Sequence, residues 1–132
     1  LIAQCGQNVV YKTGSVIAEE GAEANEFYVL RQGRVGLQLH SVPDVTALVQ
    51  TLGSGEILGW SWLFPPYKWT LEAKALKEVH AIKIDGACIR GKCDADYRMG
   101  YELMKRFSLI FARRLEAARL QILDLYGRAE HP

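Results

Sequence analysis

The stretch "GSVIAEEGAEANEFYVLRQGRVGL", residues 14–37, decides the fold. Gly14, Gly21 and Gly33 punctuate it at turns, where positive φ is easiest for glycine. Between and after them, "EFYVLRQ" (Glu26–Gln32) and "RVGLQLH" (Arg34–His40) carry the β-branched, aromatic and alternating character of strands. Four more segments read the same way: Asn8–Lys12, Thr46–Leu52, Trp69–Leu76 and Glu78–Ile84. In the last two, Leu71, Ala73 and Ala75 face one side, as do Val79 and Ala81. Many short strands separated by glycine turns predict a β-sandwich or jelly roll.

After Ile84 the pattern changes. Asp85 is placed to cap a short helix over "GACIRGKC", and Asp94 or Asp96 to cap a much longer one. Gly127, with Pro132 beyond it, predicts the end of that helix near Tyr126. Met104, Phe107, Phe111, Leu115, Ala118, Ile122 and Leu125 step by three or four residues, and from Phe111 onward the rhythm is heptad-like. A helix of about 30 residues is some 45 Å long. The seam Phe111–Leu115–Ala118–Ile122–Leu125 therefore continues past a small β-domain's core, and a second copy of the helix is its expected partner.

Composition narrows the rest. At 132 residues, with 49% hydrophobic and 23% charged residues, the chain reads as one globular domain over residues 1–132, jelly roll about 8–84 and helical part about 85–127. A net charge of +1 gives no sign of nucleic acid or an anionic membrane as partner. No apolar run nears the roughly 18–20 residues of a membrane span, and no signal peptide is visible. The first residue is Leu, so the natural N-terminus is expected to lie upstream. Cys5, Cys88 and Cys93, an odd count, lead to the expectation of free thiols in a reducing cytoplasm. Their spacing, with His40, His80 and His131 scattered, predicts no metal site. No Ser-His-acid pattern supports an enzyme.

The segment "GSGEILGWSWLFPPYKWTLEAKAL" (Gly53–Leu76) reads as a Gly-rich turn feeding a short helical turn, the layout of a cradle for a small anion. Taken with Gly14–Leu37 and "FARRLEAARLQ" (Phe111–Gln121), it resembles the cyclic-nucleotide-binding domain of the catabolite-activator and Fnr-like regulators, over about residues 8–126. The resemblance implies a mainly β fold with C-terminal α: a double-stranded β-helix (jelly roll), a short helix and a long C-terminal helix. It also implies a phosphate-binding cassette of a Gly-Glu pair, a helical turn, then an Arg and a small or hydroxyl residue. Backbone N–H groups meet the cyclic phosphate there, Arg neutralises it, and Glu holds the ribose.

Carried onto this sequence, Gly59 matches the cassette glycine and Ser61 lies in the turn. Trp60 stands at the Glu position, Trp69 at the Arg position and Thr70 in the hydroxyl slot. Lys68 is an alternative nearest cation, and an offset alignment would make Glu56 the ligand instead. Ala118 and Arg119 match the helix positions that touch the base. Losing the cationic partner of a buried phosphate costs on the order of 2–5 kcal/mol.

The expectation is a regulatory sensor without a cofactor, for a small-molecule ligand other than cyclic AMP, working as a homodimer. Two alternatives stand beside it: a self-plugged dimerisation module and a standard cyclic-nucleotide-binding signalling domain. Trp60 and Trp69 are expected to face the cleft, with Trp62 and Phe64 anchoring the turn to the core. The competing reading makes all three indoles core.

Overall fold

A computed structural model describes residues 2–40 and 46–130; His131 and Pro132, invoked above, lie outside them. The chain divides into two compact units, Leu1–Gly91 and Lys92–Pro132. The first unit holds eight strands: β1 (Gly6–Tyr11), β2 (Val16–Ala18), β3 (Glu26–Gln32), β4 (Val35–Leu39), β5 (Ala47–Leu52), β6 (Ile57–Leu58), β7 (Glu72–Ala75) and β8 (Val79–Asp85). They form two four-stranded antiparallel sheets, ordered β1-β8-β3-β6 and β2-β7-β4-β5, as a jelly roll requires.

Alternation supplies the core. Ala73 and Ala75 of β7, Val79 and Ala81 of β8, and Leu30, Val35, Leu37, Leu52 and Leu58 are buried in one cluster. Gly33, between β3 and β4, has φ +104°, and a Cβ there would stand 2.2 Å from the Glu78 carbonyl oxygen. Only glycine admits that crossing of two backbones.

Six predicted strands are present, β3 with the expected bounds and the other five with shifted ends. The segment predicted from Trp69 begins only at Glu72, because residues 67–69 are tied by backbone hydrogen bonds to the loop 21–24 instead. The two-residue β6 and three-residue β2 are additions to the sequence reading.

The helix α1 (Gly86–Ala95) starts as expected: the Asp85 carboxylate accepts the Cys88 N–H at 3.1 Å. In the second unit, Asp96 caps α2 (Tyr97–Glu130), its Oδ1 accepting from the amides of Arg98 and Met99. Gly127 does not end α2, which continues to Glu130. A glycine inside a helix loses only about 1 kcal/mol relative to alanine, too little to stop one whose neighbours propagate it. Phe107 is buried, Phe111 half-buried, and the seam beyond is open, with Leu115 73%, Ile122 56% and Leu125 63% exposed.

The expectation of three free thiols is corrected. Cys5 and Cys88 form a disulfide, with Cα atoms 5.7 Å apart across 83 residues of sequence. Strand pairing explains it: Gly6 of β1 sits opposite Ile84 of β8, so the residue before one strand meets the first turn of the helix after the other. Among the described residues Cys93 alone is a free cysteine.

Candidate functional site

The cassette is built from β6, the turn after it and the return toward β7. Gly59 follows β6 with φ +98°, a conformation natural to glycine. The following turn, Ser61–Leu63, is a 3-10 helix closed by the Leu63 N–H donating to the Trp60 carbonyl at 3.1 Å. The Pro65–Pro66 peptide is cis, and Tyr67 after it has φ +56°.

The three indoles occupy different surroundings. Trp62 is buried and stacks on Phe27, ring centroids 4.9 Å apart at 18°. Gly86, where α1 begins, lies against it: a Cβ at Gly86 would stand 3.1 Å from Trp62 Cε3 and 2.9 Å from the Asn25 carbonyl oxygen. Trp60 is half-buried at the head of the turn.

Trp69 is 8% exposed and belongs to the hydrophobic core cluster, beside Tyr28 at 6.4 Å between ring centroids. Its ring reaches Gly59: a Cβ on that glycine would lie 2.8 Å from Trp69 Cη2. The backbone holds it there, because Trp69 N–H donates to Ala22 O at 2.9 Å and Trp69 O accepts from Gly21 N–H at 2.8 Å.

Phe64, expected to anchor the turn, is 51% exposed instead. Of the two, Trp62 is the buried one. Lys68 and Thr70 are exposed; the backbone of Lys68 forms an isolated antiparallel β-bridge with that of Glu23. Ser61 is buried at 7%. Glu56, the ligand of the offset alignment, closes its own turn by accepting the Gly53 amide at 2.6 Å.

One contributor escaped the sequence reading. Arg90 of α1 donates from Nη1 to the Trp62 carbonyl at 2.6 Å, and its guanidinium lies 5.5 Å from the centre of the Tyr67 ring. It thereby ties both ends of the cassette's exit to α1. Burial, aided by Tyr11 and Glu26, pushes the Tyr28 phenol beside Trp69 far above its ordinary range, so it stays neutral. Ala118 and Arg119 of α2 are exposed, and Arg119 pairs with Glu116 at 2.7 Å. His80, read as structural, meets Glu78 at 2.9 Å. Among the described residues no group of three or more His, Cys, Asp or Glu could hold a metal ion, and no helix is long and apolar enough to cross a membrane.

The arrangement is that of a ligand-binding jelly roll with a glycine-framed cassette, and comparison places it. The model of the cyclic nucleotide-binding domain family matches residues 8–96. The chain belongs to that family. A candidate cyclic nucleotide-binding protein from Geobacter metallireducens GS-15 is 32% identical, with a TM-score of 0.75, 86% of this chain and 82% of that one being covered. A cyclic nucleotide-binding domain from Methylobacillus flagellatus KT superposes with a TM-score of 0.83 at 12% identity, covering 91% and 67%. The catabolite activator protein of Thermus thermophilus gives 0.73 at 22%, covering 94% of this chain and 56% of its own. The latter two establish likeness of fold. No curated protein matches the chain.

Proposed function

We propose that the chain is a non-catalytic regulatory module of this family that responds to a small molecule other than cyclic AMP and acts as a homodimer through α2. The observation that carries the first part is Trp69: it stands where the family's Arg is expected and fills the space against Gly59 with an indole. A phosphodiester brought there meets an apolar ring where a guanidinium would pair with it, a loss on the order of 2–5 kcal/mol. The accessible groups at the rim are half-buried Trp60 and exposed Lys68 and Thr70, which suit a flat or apolar partner with one polar handle. A cytoplasmic setting belongs to the same proposal.

Isothermal titration with cyclic AMP tests the reading. The expected result is no complex tighter than about 10 μM. Sub-micromolar binding would overturn it and return the chain to standard cyclic-nucleotide signalling.

The burial of Trp69 also favours a second reading, in which the cleft is plugged and the module works by dimerisation alone. A thermal-shift screen of aromatic heterocycles and nucleotides separates the two. Stabilisation of the wild-type protein, lost in Trp60→Ala, supports sensing. If only Trp69→Ala is stabilised, by indole, the plug is the better account.

A further inference from the structure

A polar cleft of ≈ 410 Å³, lined by none of the cassette residues, has Gln7, Glu26, Lys83 and Asp85 around it and the Cys5–Cys88 disulfide in its wall. Lys83 Nζ stands 3.6 Å from Glu26 Oε2, and both side chains are about one-third exposed. One cation and two carboxylates thus share a space of small-molecule size with a disulfide. We propose that this cleft receives a small zwitterionic thiol, which opens the Cys5–Cys88 bond by exchange. The proposal is independent of what the cassette binds.

The chemistry follows from the two sulfurs' surroundings. Cys5 is 8% exposed, whereas Cys88 is half-buried, so the approaching sulfur reaches Cys88 first. The incoming thiol, its proton given to solvent, bonds through sulfur to Cys88 Sγ as the Cys5–Cys88 bond breaks. Cys5 Sγ leaves with the electron pair and takes a proton from solvent. No further oxidant or reductant enters. A second thiol can then release Cys88 as a thiolate in the first turn of α1, where the helix N-terminus favours negative charge. Meanwhile Asp85 and Glu26 meet the visitor's ammonium and Lys83 its carboxylate. In a reducing compartment such a bond is transient and redox-sensing rather than structural.

Reduced glutathione is the zwitterionic probe and 2-mercaptoethanol the uncharged one. Oxidised protein is incubated with each without oxygen, released Cys5 is trapped by a maleimide, and peptide mass mapping follows the rate. Cys93 is a free thiol that exchanges only with oxidised reagent formed later, so initial adducts, mapped by residue, report attack on the Cys5–Cys88 bond. The expected result is an adduct on Cys88, saturation with glutathione but not with 2-mercaptoethanol, and Lys83→Gln slowing only glutathione, by about two- to five-fold. An adduct on Cys5, equal sensitivity of both reagents to Lys83→Gln, or isolated protein lacking the bond overturns the proposal.

Discussion

The contact between Gly59 and Trp69 can be weighed by a double-mutant cycle. Alanine at position 59 must adopt φ near +98°, on the left-handed side, where a Cβ costs roughly 1–2 kcal/mol. That Cβ also stands 2.8 Å from Trp69 Cη2, and the indole, 8% exposed within the core cluster, has little room to swing aside. Forcing a packed core to accept an extra methyl adds about 1–3 kcal/mol. Gly59→Ala alone is therefore expected to destabilise by about 2–5 kcal/mol. Trp69→Ala alone removes a buried indole and costs about 3–5 kcal/mol. In the double variant the backbone strain remains and the collision disappears, so it is more stable than the sum by about 1–3 kcal/mol. Urea unfolding followed by circular dichroism measures all four proteins. With a slope of about 1–3 kcal/mol/M, the coupling shifts the midpoint by a sizeable fraction of a molar unit. Additivity within about 0.5 kcal/mol would refute the placement of the indole against Gly59.

Two further predictions address α2 and its neighbourhood. Leu115→Asp or Ile122→Asp, at seam positions 73% and 56% exposed, should convert a dimer to monomer in sedimentation without lowering the monomer's helix content; a dimer that survives both changes sinks the seam. Cys93 should alkylate more slowly than a free cysteine at neutral pH, since burial and then Asp94 and Asp96 raise its thiol pKa. The reacting form is the thiolate, so the rate should climb with pH and level off later than for a reference thiol; a rate at neutral pH equal to the reference contradicts this.

How much was legible in the sequence depends on how local each determinant is. The turns at Gly14, Gly21 and Gly33, the alternation of β3, β7 and β8, and the caps at Asp85 and Asp96 are set by residues within a few positions of one another. These could be read directly. Strands of two and three residues such as β6 and β2 carry no measurable period and were missed. The Cys5–Cys88 bond depends on the register of β1 against β8 and spans 83 residues, so the count of cysteines pointed the wrong way. Arg90 resembles any surface arginine on a helix until the Trp62 carbonyl and the Tyr67 ring are brought beside it.

Trp60 and Trp69 make the same point within the site itself. Both are tryptophans of one segment, and each sequence reading, cleft or core, treated the two alike. Their backbones decide otherwise. Trp60 supplies the carbonyl that closes a 3-10 turn, which leaves its side chain half-buried at the rim. Trp69 is stitched to residues 21 and 22 from both its amide and its carbonyl, and its indole lies in the core cluster beside Tyr28. Gly59 has no side chain to exclude that indole, and a Cβ there would stand 2.8 Å from Trp69 Cη2. An arginine at position 69 puts a guanidinium into an apolar core, whereas a carboxylate at half-buried position 60 keeps part of its hydration. Trp69→Arg should accordingly destabilise the domain by several kcal/mol, and Trp60→Glu should leave the unfolding midpoint nearly unchanged. Equal tolerance of both substitutions would mean that Trp69 lines an open cleft after all.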